Sequence, residues 1–373
     1  MKRAIIFLLV FTTVTTFGQN IQQRESFQRI DSLFQDAYSK FPIGSISVGI
    51  LSHDTVIWKK SYGYADMQNK IPASSSTIYR IGSITKQFTA MMMLKLEEEK
   101  KLKISEPIEK YLPEFKKVQS KNDIKQPISF VQLATHMSGI MREPENDSFY
   151  TYQRWSDWDK TLLSSFKDIK FRFEPSVRYS YSNIGYSILG LALSKVAKQP
   201  YTDYISNNIL KPLGMKNSYF HVPDALRNQL AKGYAVDGSK IDTTTAYLEH
   251  NGRGFRVPNG GLYSTIDDLA PFVSNLMNEG SLRILKLETV TENYKRVVVT
   301  SSRFSSGYGI GYLIEKSENL NIFGHGGTVN GYDALIAYDN TKKIAIIVLH
   351  NATGDRFDSF TLSSRVFKIL SDK

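Results

Sequence analysis

Ser83-Ile84-Thr85-Lys86 places a hydroxyl and an amine three residues apart at the head of a helical run. Residues at that spacing share one helix face, so the amine can reach the hydroxyl. A serine becomes a useful nucleophile only when a neighbouring base takes its proton, and an amine can do so once burial has removed its charge. The pattern alone is weak. A second copy, Ser164-Ser165-Phe166-Lys167, stands in the same chain without companions. Ser83 is singled out by two companions further along the chain, in order: Tyr181-Ser182-Asn183, then His325-Gly326-Gly327.

Each element brings its own chemistry. The N–H of Ser83, at a helix start, is one of the unpaired donors that can receive developing negative charge. A Tyr181 phenol can relay protons if cations lower its pKa. Asn183 offers a donor and an acceptor, suited to fixing Lys86 and a substrate carbonyl. Ser182 or Asn183 can equally well cap the apolar helix after them. Gly326 and Gly327 let a substrate lie close to the backbone. The Thr328 N–H beyond them can complete an oxyanion hole with that of Ser83. His325 can hold a carboxylate when protonated or orient Tyr181 when neutral. His136, at a helix end, reads as structural. The remaining histidines are not clustered at ligand spacing, so no metal or other cofactor is expected.

Around these motifs the chain reads as 373 residues with 41% apolar and 22% charged content, enough for a large core. Lys2 and Arg3, an apolar run from Ala4 to Val14, and a polar close near Gly18 read as a signal peptide over residues 1–18. A periplasmic or secreted protein is expected, with no stable membrane insertion after the leader is removed. With no cysteine, disulfides, thiolate metal sites and a lipid-modified cysteine are excluded. Removing Lys2 and Arg3 takes the formal charge from +11 to +9. The basic residues are scattered, without a stripe carrying interleaved aromatics, which argues against nucleic-acid binding.

Gln19 to Ser39 has helical spacing. Ser45–Leu51 and Thr55–Lys60 flank His53-Asp54 as a hairpin. Ser83 to Lys101 is a long helix. Helices are expected over Ile128–His136, Ile184–Ala197, Tyr201–Ile209 and Thr265–Met277. Four strands come next (Tyr308–Ile314, Asn321–His325, Tyr332–Tyr338, Ile344–Leu349), then a closing helix from Asp355 to Leu370. This is an α+β chain: an antiparallel sheet drawn from both termini (about 19–100 and 301–373), flanked by helices, with a helical insert over about 101–300. The site belongs in the cleft between the two parts.

The three motifs in this order resemble the penicillin-binding-protein and serine β-lactamase superfamily. The class C β-lactamase-like branch, with its D-aminopeptidases and family VIII-type esterases, is the nearest match. Tyr79-Arg80-Ile81-Gly82, Leu133-Ala134-Thr135-His136-Met137-Ser138-Gly139, Pro212-Leu213-Gly214-Met215 and Gly260-Gly261-Leu262-Tyr263 extend the resemblance over nearly the whole chain after the leader. It implies a β-lactamase/transpeptidase-like fold, with Ser83 acylated, Lys86 as base, Tyr181 and Asn183 as the second element, and His325 and Gly327 as the third. The implied substrate is a small molecule or peptide, with cell-wall fragments among the candidates. Two departures stand out. His325 occupies a position where many members carry lysine, which weakens carboxylate binding there and favours an esterase or aminopeptidase-like hydrolase. No separate deacylating glutamate is evident, which leaves Tyr181 to assist water. β-Lactamase activity and a low-turnover penicillin-binding or sensor module remain the alternatives.

Overall fold

A computed structural model describes residues 23–296, 298–301, 306–316, 320–354 and 357–371. The expected leader and the first residues of the helix read from Gln19 lie outside them. Helix α1 (23–40) leads into strands β1 (Ser45–Ser52) and β2 (Thr55–Asp66), joined at His53-Asp54, and a short β3 (Ile71–Pro72). After the helical middle come β4 (Val298–Ser301), β5 (Ser306–Tyr308), β6 (Leu313–Lys316), β7 (Asn321–Val329), β8 (Tyr332–Asp339) and β9 (Ile344–His350). These nine strands form one antiparallel sheet in the order β3-β2-β1-β9-β8-β7-β6-β5-β4. The termini meet inside it: β1 pairs with β9 from Ile46↔His350 to Ser52↔Ile344.

The period-two alternation of the strands sorts their side chains into two cores. Ile46, Val48, Ile50, Ile346 and Val348 face one way, against Ile30, Leu33 and Phe34 of α1 and Leu362, Val366 and Phe367 of the closing helix over Ser359–Ser371. Leu51, Ala345, Ile347 and Leu349 face the other way, into the larger core. That core holds helix α2 (Thr85–Glu98), helix α3 (Asn183–Ala197) and helix α4 (Ile266–Leu276), and the rings of Phe88 and Phe272 stack 3.8 Å apart between α2 and α4. Each such fully buried apolar side chain contributes about 1.5–3 kcal/mol. The result is helices on both faces of a sheet, and the two ends of the chain are locked together by it. Among the described residues no helix is long and apolar enough to cross a membrane.

Local signals account for the helix boundaries. Thr265 caps α4, its Oγ1 accepting the Asp268 N–H at 3.0 Å. Ser182 caps α3, its Oγ accepting the Gly185 N–H at 2.9 Å. Asn183 is therefore the first helical residue. A 3₁₀ turn, Gly82–Ile84, precedes α2 and carries Ser83.

The single strand expected over Tyr308–Ile314 is two strands, β5 and β6, that pair with each other. Gly311 explains the break. Its φ of +83° is left-handed, and a Cβ there would lie 2.7 Å from Ala90 Cβ and 3.2 Å from the Lys86 carbonyl oxygen. The chain turns at this point because it runs up against helix α2.

Candidate active site

Lys86 is fully buried, on the first turn of α2. Its Nζ lies 3.0 Å from Ser83 Oγ, 2.9 Å from Asn183 Oδ1 and 2.9 Å from the backbone oxygen of Asn259. The last two atoms can only accept. A neutral amine gives its two N–H bonds to them, and its lone pair is left facing the Ser83 hydroxyl. Burial drives the Lys86 pKa well below the usual lysine range; the Glu143 carboxylate opposes the shift and the Arg142 guanidinium reinforces it. Burial thus favours a deprotonated lysine beside a half-buried serine, and the three partners accommodate that state.

Asn183 is held with one end toward Lys86. Its Nδ2 donates to Glu143 Oε1 at 2.5 Å, so Oδ1 turns to the amine. Asn259 braces the same point, donating through Nδ2 to the Asn183 carbonyl at 3.0 Å and to Ser187 Oγ at 2.9 Å. Burial raises the Glu143 pKa, with Arg256 and the bond from Asn183 pulling it back.

Tyr181 lies over this hub. Its ring centroid is 5.0 Å from Lys86 Nζ and 5.0 Å from the Arg142 guanidinium carbon, and Ser83 is close enough to act on its hydroxyl. Burial raises its pKa, and Ser83 and Arg142 only partly offset that, so it stands as a neutral phenol at ordinary pH. Behind it lies His136, 4.2 Å ring to ring, whose Nδ1 accepts the Ser182 N–H at 3.1 Å. His136 thereby holds the Tyr181-Ser182-Asn183 segment in place.

His325 is buried on β7, with its ring centroid 6.3 Å from that of Tyr181. Its Nε2 is 3.1 Å from the Tyr308 hydroxyl, so the bond expected to Tyr181 goes to Tyr308 instead. Burial pulls its pKa down to about 3, and Lys86 acts in the same direction. It is an uncharged wall at neutral pH and cannot serve as a carboxylate-binding cation there.

Beyond it the strand closes on Ser83. A Cβ on Gly327 would sit 2.1 Å from the Ile81 oxygen and 2.8 Å from the Ser83 nitrogen. A Cβ on Gly82 would sit 3.3 Å from the Thr328 nitrogen. Only glycine allows this approach, which lays the Gly327-Thr328 backbone directly against that of Gly82-Ser83. Gly326 adds no side chain on the opposite face of the strand, and Thr328 Oγ1 is tied to Asp333 Oδ2 at 2.8 Å.

Ser83, Lys86, Tyr181, Asn183 and His325 thus converge with the Gly326–Thr328 backbone on one cleft. The duplicate motif does not join them: Ser164 and Lys167 are exposed, and Ser164 Oγ bonds the Thr161 carbonyl at 2.8 Å. Tyr338 of Tyr338-Asp339-Asn340 is buried in the sheet core. Of the aromatic residues in the helical insert, Trp158 and Phe255 are buried in the core, whereas Tyr247 is 65% exposed. Arg142, Glu143, Asn259 and Tyr308 went unrecognised in the sequence. Their proximity to two motifs (Ser138-Gly139 and Gly260-Gly261) was the one signal for three of them. Among the described residues no group of three or more His, Asp or Glu side chains could hold a metal ion.

Residues 30–369 match the family model described as Beta-lactamase. The chain is 27% identical over 333 residues to Protein flp of Staphylococcus aureus (strain COL), covering 89% of this chain and 64% of that protein. The chain thus spans less than two thirds of the length of that curated relative. Among solved structures, the octameric penicillin-binding protein homologue from Pyrococcus abyssi is 26% identical with a TM-score of 0.75, covering 92% of this chain and 77% of that one. A class C beta-lactamase superposes with a TM-score of 0.79 at 21% identity, covering 94% and 97%. The matched span takes in the sheet, the helical middle and every residue of the cleft, and the chain belongs to the beta-lactamase family.

Proposed function

We propose that this chain is an exported serine hydrolase that cleaves an ester or amide bond through an acyl-enzyme on Ser83. The observation that carries the reading is the hydrogen-bond set of Lys86: two acceptor-only partners and a serine hydroxyl at 3.0 Å. In the first step Ser83 Oγ attacks the carbonyl carbon and its proton passes to Lys86 Nζ. The carbonyl oxygen, now negative, accepts from the Ser83 and Thr328 N–H groups. The leaving group departs with a proton from the neutral Tyr181 phenol, which Lys86 replenishes. Water then attacks the acyl carbon, its proton passes back through Tyr181 and Lys86, and Ser83 regains its own as the acid leaves.

The uncharged His325 weighs against a dedicated β-lactamase, because no cation on β7 faces a β-lactam carboxylate. Export rests on the leader pattern of residues 1–18. The test is fluorophosphonate labelling followed by peptide mapping, alongside a panel of p-nitrophenyl esters, D-amino-acid amides and nitrocefin on wild type and Ser83→Ala. Labelling at Ser83, with ester or amide turnover that vanishes in Ser83→Ala, is the expected result. Label on another residue, or turnover unchanged in the variant, overturns the reading. A single burst of product with no steady rate replaces it with the low-turnover module.

A further inference from the structure

We propose that Arg142 is the anion-reading residue of this cleft, and that the substrate carries a carboxylate a few bonds from its scissile carbonyl. The inference rests on the hydrolase reading and names the substrate class for the same site.

The backbone at this point is fixed. The Arg142 carbonyl accepts the N–H groups of Asn183 at 3.0 Å and Ile184 at 3.2 Å, and Ser182 Oγ donates to the Met141 carbonyl at 2.7 Å. Residues 141 and 142 are thereby clamped to the first turn of α3, beside two of the residues that surround Ser83. From this base the Arg142 side chain reaches over the face of Tyr181, whose hydroxyl lies beside Ser83. One aromatic ring separates a permanent positive charge from the nucleophile.

Arg178, three residues before Tyr181, stacks its guanidinium on the Phe173 ring at 4.7 Å rather than on Tyr181, and the buried or half-buried cations around the cleft are committed. Arg256 is paired with Asp147, Arg80 with Glu249, and Arg253 donates to the carbonyls of Gly261 and Phe220. Lys86 spends its nitrogen on Ser83, Asn183 and Asn259. Arg142 is exposed, and among the described residues its guanidinium forms no ion pair or hydrogen bond. Its neighbour Glu143 does not neutralise it, because that carboxylate turns inward to Asn183. A guanidinium stacked on a ring keeps its planar edge free, and that edge matches a carboxylate with two parallel N–H bonds. On the sheet side His325 offers no charge, so an anion entering the cleft is drawn to the helical side.

The test compares two ester pairs on the full chain: p-nitrophenyl hemiglutarate against p-nitrophenyl valerate, and carboxyphenyl acetate against phenyl acetate. The first pair puts the anion on the acyl part, the second on the leaving group. The readout is the ratio of kcat/KM within each pair, because Arg142 also acts on Tyr181 and Lys86 and its loss slows every substrate. In at least one pair wild type favours the anionic member. That ratio falls about tenfold or more in Arg142→Gln, falls further in Arg142→Glu, is partly kept in Arg142→Lys, and shifts chiefly through KM. Ratios that stay constant while both members slow together overturn the proposal. Fluorophosphonate labelling of Ser83 in each variant reports separately on the hydrolase reading; a wild type that neither labels nor turns over any ester overturns that reading and this inference with it.

Discussion

On the helical side of the cleft, side chains commit the polar atoms around Ser83 to one another; on the sheet side, β7 meets it almost bare. Lys86, Asn183, Asn259 and Glu143 form a chain of direct hydrogen bonds drawn from four separate segments. Gly327 brings only backbone, pressed against Ile81 and Ser83, and the neighbouring His325 is neutral and turned to Tyr308. One wall gathers titratable and polar side chains; the other offers close approach of backbone. Function divided this way makes the two walls sensitive to different substitutions.

The largest effect belongs to the helical wall. Lys86→Arg keeps donors at this position but carries a positive charge that cannot be lost at working pH. Steady-state kcat on the best ester should fall about 10³-fold or more, comparably to Ser83→Ala. Retention of a tenth of the rate would mean that the base lies elsewhere. On the sheet wall, Gly327→Ala forces a Cβ against the Ile81 oxygen and displaces the strand from the nucleophile. A loss of about 10²-fold in kcat is expected, as for removal of one oxyanion donor. Denaturant melts should show about 1–3 kcal/mol of destabilisation from overpacking. Melts that shift without any change in kcat would separate Gly327 from catalysis.

His325 gives the smallest effect, and its sign is fixed. Its folded pKa of about 3 lies below the unfolded value of 6.5. Protonation therefore favours the unfolded chain, so the contribution to stability is full above the unfolded pKa and is lost as pH falls toward the folded one. Between neutrality and about pH 4.5 urea melts should lose about 2 kcal/mol through this residue, and His325→Gln should remove that increment from the pH slope. An equal slope in the variant would show that His325 titrates alike in the folded and unfolded chain, which contradicts its burial as a neutral group.

The contrast also sets what was readable beforehand. Serine, lysine, tyrosine and asparagine at fixed spacings announce proton chemistry, and the glycines beside His325 announce close approach. The strand and helix periods gave the sheet drawn from both chain ends. Missed were contacts with no local signature. The Asn259 oxygen meets Lys86 from 173 residues away, and Glu143 meets Asn183 from 40. A backbone carbonyl leaves no mark in the side-chain alphabet. The break at Gly311 was hidden for the same reason, because the turn answers to helix α2 and not to its own neighbours. The role of His325 depended on burial, which turned a titratable residue into a neutral spacer.

The pH dependence of fluorophosphonate labelling at Ser83 probes the neutral lysine most directly, because it reads the nucleophile without requiring a known substrate. The rate should rise to a plateau with an apparent pKa well below the usual lysine value of 10.5, and that limb should disappear in Lys86→Arg. A rate still climbing at or above that value, or an unchanged limb in Lys86→Arg, would contradict an uncharged Lys86 as the base that activates Ser83.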